Sequence, residues 1–295
     1  MSVAMVPDAE SAVVAAAPSR QGWWRRFRRR PPAVIGLVGV VLVVAVAVFA
    51  PLLAPESPVV SQFSHVLAAP GTPGHLLGTD QLGRDELSRL IYGSQSTLEV
   101  GVLATLLAMA LAVPIGIASG YYRGAADMVA MRVADVVLAF PFLLIAVGLA
   151  AIFKPSLQNV IIALGLAQLP GSIRIARAEA MALREQDFVQ AAIVTGVRDR
   201  VILFRHLFPN MLSPLLVQAS VSIPAAILGS ALLSFLGLGV QPPTPSWGNM
   251  LATAQTYLYN DPWIAILPGT AIFLTTLAFN LLGDGLRDLF DPSMR

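Results

Sequence analysis

The residues of this chain that could do chemistry are few, and most kinds of site can be struck out at once. There is no cysteine, which excludes disulfide frameworks, thiolate metal sites and cysteine nucleophiles. The three histidines, His65, His75 and His206, are not spaced as a metal-ligating pair. A phosphate-binding loop needs Gly, four residues, then Gly-Lys-Ser/Thr. The sole lysine is Lys154, in Phe153-Lys154-Pro155, so no such loop exists, and any nucleotide must be handled by a partner. No histidine lies in an apolar run beside a serine, so an intramembrane hydrolase lacks its base.

Two kinds of candidate remain. The first is the small-residue cluster Ala191, Ala192 and Gly196. Its members offer a shallow surface that another molecule can approach closely, and Gly196 permits a positive φ that other residues avoid. An amphipathic surface helix would explain the same spacing. The second is polar residues within apolar runs, which are costly in a bilayer and often functional. Arg132 and Asp135 are spaced for an i,i+3 ion pair that would brace a bundle. Glu99 could face an aqueous path or anchor at an interface. Gln218, Ser222 and Gly229, at i, i+4 and i+11, share one helix face. That face could line a passage or pack against another helix.

The elements that must position these residues follow from composition. Of 295 residues, 56% are hydrophobic and only 12% charged, and mean hydropathy is +0.72. Soluble domains carry roughly 25% charged residues, so a bilayer is the fitting solvent. A spanning helix needs about 20 mostly apolar residues, and six segments qualify: 33–53, 96–119, 128–153, 157–173, 212–236 and 264–284. The expected fold is therefore an all-α integral membrane protein. The 33–53 run is longer than the ~7–15 residues of a signal-peptide core and is followed by Pro51 and Pro55, so it reads as a retained anchor. Pro114, Pro141, Pro224 and Pro268 are expected inside spans, as kinks or as hinges. Residues 1–20 read as disordered. Trp23, Trp24 and Phe27 among the arginines of 25–30 read as interface anchoring.

Charge orients the chain. Sixteen arginines fall on one side: six within 1–32, Arg123 and Arg132, six between Arg174 and Arg205, and Arg287 with Arg295. The other side holds Arg84, Arg89 and Lys154. The positive-inside rule then places both termini in the cytoplasm. Segments 54–95 and 237–262 lie outside, and 174–210 is the longest cytoplasmic connection. Within it, 178–210 reads as helix, Gly turn at Gly196, helix, entering a span at Pro209 and Pro214.

In this segment Gln190-Ala191-Ala192, three residues, Gly196, nine residues, then His206-Leu207-Phe208-Pro209 resembles the EAA motif of binding-protein-dependent ABC importer permeases. In that motif Glu-Ala-Ala and Gly precede Ile-x-Leu-Pro. Ala191, Ala192, Gly196 and Pro209 match at full spacing, while Gln190, His206 and Phe208 depart. His75-Leu-Leu-Gly-Thr-Asp80, Leu82-Gly-Arg-Asp85, Ser88-Arg-Leu90, Asp187-Phe188, Arg205-His206 before Pro209-Asn210, Phe235-Leu-Gly-Leu-Gly239, Pro245-Ser-Trp-Gly248 and Asn280-Leu-Leu-Gly-Asp-Gly-Leu-Arg-Asp288 with Asp291-Pro292 look like the dipeptide/oligopeptide/nickel subfamily. They resemble its second, C-type permease subunit over roughly 33–292.

The resemblance implies a type I, MetI-like fold and half of a translocation pathway. It also implies a homologous second permease, two cytoplasmic ATPase units that bind ATP and Mg, an external peptide-binding protein, and a bacterial plasma membrane. No cofactor in this chain and no nucleic acid are implied. A permease core would span 96–292, and the chain itself would not be catalytic. Gln190, Ala191, Ala192, Thr195, Gly196, Val197 and Pro209 would couple to an ATPase. Glu99, which could meet a peptide's amino terminus, would line the passage with Gln218, Ser222 and Gly229. Two alternatives stay open: the same machinery carrying nickel or another small solute, and a self-sufficient carrier or channel, for which no internal repeat is visible.

Overall fold

A computed structural model of the chain describes residues 27, 28 and 30–290. The expectations for residues 1–26, Arg29 and 291–295 fall outside the described residues. The described chain is helical, with no strand and only two isolated bridges within residues 72–85.

Helix α1, Pro31–Val48, starts with prolines at its first positions, where the missing N–H has no partner to lose. A helical turn at Ala50–Leu53 extends it. Helix α2, Glu86–Tyr122, begins ten residues before the expected 96, because Asp85 caps it by accepting from the Ser88 N–H. At 37 residues it is about 55 Å long, well beyond a hydrocarbon core of ~30 Å.

The expected span 128–153 is instead two helices, α3 (Ala125–Leu138) and α4 (Phe142–Ile152), bent by 91°. Pro141 sits at the break as the N-cap of α4, not inside a helix. It has no N–H to continue α3, and it steers Phe140 away from helical geometry. Helix α5, Leu157–Arg184, is capped by Ser156 and runs eleven residues past the expected end at 173. Arg174 and Arg177 do not end it, because each reaches sideways to an aspartate of α3.

Then come α6 (Asp187–Val194), a turn at Asp199–Val201, a π-helical turn at Ile202–Leu207, and α7 (Phe208–Phe235). The stretch expected as loop over 237–262 holds a further helix, α8 (Trp247–Ala254), closed by a Ser246–Asn249 capping box. Helix α9, Trp263–Phe290, completes the described chain. Among the described residues, five helices are long and apolar enough to cross a membrane, taking 199–235 as one, and six if α3–α4 is a broken span.

Helices α2 and α5 make the most extensive pairing. Gly116 and Gly120 of α2 permit it: a Cβ at Gly116 would stand 2.5 Å from that of Ala176, and one at Gly120 would stand 2.6 Å from the Arg177 carbonyl. Small residues let helix backbones approach in this way. Helix α1 packs on α9, and α7 lies against α9, α2 and α5. One end of the bundle gathers the Tyr122–Ala125 connection, α6 and the π turn. The other end gathers residues 54–85, the start of α2 and α8.

Candidate functional site

At the arginine-rich end, the expected helix–turn–helix of 178–210 is made by three pieces. The end of α5 breaks at Glu185–Gln186, α6 follows, and the chain then turns at Gly196. Gly196 has φ +76°. Its N–H donates to the Ile193 carbonyl and the Val197 N–H donates to the Ala192 carbonyl, each at 3.0 Å. This is the Schellman closure that glycine favours, since other residues strain in that conformation. The Thr195 hydroxyl donates to the Ala191 carbonyl at 2.8 Å, tightening the same turn.

The two alanines point opposite ways. Val189 and Ala192 are buried against Ile117 and Tyr121 of α2 and Ala176 and Ala180 of α5, with Ile202 and Leu207 behind them. Ala191, Thr195 and Gly196 are exposed. Val194, at 85% exposure, and Phe188 extend that rim. Of the residues expected to contact an ATPase, Ala191, Thr195 and Gly196 are exposed, whereas Ala192 and Val197 face inward. Ala192 is in the core, and Val197 packs against it. Gln190 also turns inward, and its side-chain amide donates to the Arg184 carbonyl at 2.8 Å. Pro209 opens α7 just after the π turn, where the Phe208 N–H reaches back five residues to Leu203. His206 lies 6.4 Å from the Phe188 ring.

The opposite end is built on ions. Asp80 accepts from the Leu82 and Arg84 N–H groups and from Arg84 Nε at 2.6 Å, with Arg89 Nε at 3.3 Å. His75 Nδ1 lies 3.2 Å from Asp85 Oδ1, and Asp85 also accepts from Ser88. Asp80, Arg84, Arg89, His75, Asp85 and Ser88 are all buried, and so is Glu86. Gly83, with φ +71°, presses so close to the Gln62 carbonyl that a Cβ would fall 1.9 Å from it. Trp247 of α8 donates from its ring to the Leu90 carbonyl at 2.9 Å and from its backbone to Thr97. This cap was missed as a unit. Its residues stood out in the sequence, but charged loop residues read as solvated until burial is known. His65 stacks 5.6 Å from His75. Among the described residues, no group of three or more His, Asp or Glu side chains could hold a metal.

The chain has counterparts in known proteins. Residues 112–295 match the family described as the binding-protein-dependent transport system inner membrane component. The chain belongs to that family. Residues 20–70 of this inner membrane component also match the N-terminal TM domain of oligopeptide transport permease C. It is 45% identical over 281 residues to the dipeptide transport system permease protein DppC of Escherichia coli K12, covering 93% of each chain. It is 40% identical to the di/tripeptide transport system permease protein DppC of Pseudomonas aeruginosa UCBPP-PA14, covering 98% and 97%. Its fold is that of the membrane chain in the inward-facing MetNI methionine ABC transporter, with a TM-score of 0.56 at 17% identity over 69% of this chain and 97% of that one.

Within the spans of this inner membrane component, one expected ion pair changes partner. Asp135 pairs with Arg174 of α5 at 2.6 Å, not with Arg132. Gly229 is a packing position, where a Cβ would stand 2.7 Å from Leu164 of α5 and 3.4 Å from Phe142 of α4. Gln218 donates to Ser222 at 3.1 Å, and Ser222 is buried. Glu99 is exposed on α2.

Proposed function

We propose that this chain is one of two homologous permease subunits of an ATP-driven importer of di- and oligopeptides. It sits in a bacterial plasma membrane with both termini in the cytoplasm. An external peptide-binding protein delivers cargo, and two cytoplasmic ATPase units bind ATP and Mg and supply the work. The observation that carries this reading is α6, a short helix closed by Gly196. It is anchored inward by Val189 and Ala192 and leaves Ala191, Val194, Thr195 and Gly196 as a shallow outward rim. Such a rim lets an ATPase groove grip the helix. Differential grip in the ATP-bound and free states is what reorients the spans. The relatives' names favour peptide cargo over nickel. Glu99 and the Gln218–Ser222 pair are the proposed polar groups along the passage, with Gly229 fixing the helix packing beside it.

The test is Gly196→Trp in the full complex, reconstituted in vesicles with peptide, binding protein and ATP. Nothing lies within 4 Å of a Cβ at Gly196, so an outward indole has room, but the positive φ strains any side chain there; Ala191→Trp, exposed within α6, is therefore run beside it as the variant that blocks docking without straining the turn. Peptide uptake should fall more than tenfold while the chain still inserts. Normal uptake by both variants, or uptake by the chain alone without an ATPase, would overturn the reading.

A further inference from the structure

The covalent chain links α6 only to α5 and α7. A side-chain contact adds a third helix. Tyr121, buried one residue before the end of α2, donates its hydroxyl to Asp199 Oδ1 at 2.9 Å. Asp199 opens the helical turn that returns from Gly196 toward α7. Above the Tyr121 ring, at 5.6 Å, lies the Arg184 guanidinium at the end of α5. The Arg184 carbonyl holds Gln190 of α6. Nearby, Arg123 just beyond α2 pairs with Glu185 just beyond α5. So α2, α5, α6 and the return turn meet around one ring.

We infer that Tyr121 is a positioning residue for coupling: its bond to Asp199, steadied by Arg184, makes α2 move with α6. The inference rests on the proposed ATPase docking at α6. Apolar contacts around Val189 and Ile202 resist separation but are non-directional and tolerate sliding. A phenol–carboxylate bond is directional and charge-assisted, so it fixes where the 199–201 turn lies along α2, and through the Gly196 closure it holds α6 to the same place. It is not needed for folding, because the Tyr121 ring and its apolar neighbours persist without the hydroxyl. It is needed for a push on α6 to arrive at α2 undiminished. Helix α2 and the continuous 199–235 stretch are the longest among the described residues, and α2 runs to the ion-filled cap at the opposite end. Motion delivered at Tyr121 therefore reaches both faces of the membrane.

The experiment compares Tyr121→Phe, Asp199→Asn and the double variant with the parent in the purified complex of both permeases and ATPases. Peptide uptake and ATP hydrolysis are measured on the same vesicles. The expected result is full assembly, near-parental ATP hydrolysis and about tenfold less uptake per ATP for Tyr121→Phe, the scale of losing one charge-assisted bond. Asp199→Asn keeps an acceptor and should fall between the two. The double variant should be no worse than Tyr121→Phe, as for two partners of a single bond. A merely structural role would instead lower assembly, hydrolysis and uptake together and leave their ratio unchanged. An unchanged ratio in Tyr121→Phe, with a parent complex that imports peptide, would overturn the latch alone. A parent complex without ATP-driven uptake would overturn the latch and the proposed function together.

Discussion

The two ends of the bundle are held together by opposite chemistry. The 54–95 cap buries ions: Asp80 between Arg84 and Arg89, and Asp85 between His75 and Ser88. Its loop follows backbone geometry that only glycine takes without strain, at Gly78 and Gly83. The α6 end buries alkyl groups, with Val189, Ile202, Leu207 and Met211 all fully inside. It keeps its polar links at the edge, in Tyr121–Asp199 and Arg123–Glu185. Directional, fully desolvated contacts fix one arrangement, because each lost bond leaves a buried charge or donor unpaired. Apolar contacts cost little to slide. The comparison teaches that directional ionic contacts lock one end of the bundle, while non-directional apolar packing holds the other, with a few polar links limiting its slip.

The sharpest way to break this contrast is Asp80→Ala. It strands two buried arginines, and losing one partner of a buried ion network costs about 3–5 kcal/mol. The loop over 54–85 should become protease-sensitive, and thermal unfolding in detergent should shift down strongly. An unchanged unfolding temperature would mean the cap is not ion-locked. Next in size is Val189→Ala, which removes two methyls from a fully buried site, at a cost of about 1–2 kcal/mol. The complex should still assemble and couple, because the Tyr121–Asp199 bond remains. A coupling loss as large as that of Tyr121→Phe would show that apolar packing, not the bond, sets the position of α6. The smallest effect on stability belongs to Val194→Ser on the exposed rim, within about 0.5 kcal/mol. Its readout is retention of ATPase on the purified complex, which should fall severalfold. Full retention would remove Val194 from the docking rim.

Much of this was legible from local pattern. Five of the six apolar runs each fall on one long helix, because a bilayer imposes length and hydropathy directly on sequence. The turn at Gly196 was legible because a Schellman closure is local and its glycine is diagnostic. The break at Pro141 was half-legible: the proline was visible, but whether it kinks a helix or ends one depends on what packs against the two halves. Asp135 shows the limit. Its nearest local partner was Arg132, yet it pairs with Arg174, 39 residues away, since a neighbouring helix offered better geometry than the same face of its own. Likewise the spacing of Gln218, Ser222 and Gly229 assigned them one face of α7 but not what that face meets. Only packing revealed that Gly229 meets Leu164.

By itself, then, the sequence determined the solvent this protein lives in, where its apolar runs lie, the segments in which its arginines gather, and the place where its longest arginine-rich connection must turn. Each follows from composition or from backbone rules that act over a few residues. Only the tertiary structure decided which of two adjacent alanines is buried, which arginine neutralises which aspartate, and that a run of charged loop residues forms a dry cap. These are relations between helices distant in sequence. Burial, which sets the strength of every polar contact, is a property of the assembled bundle and of no single segment.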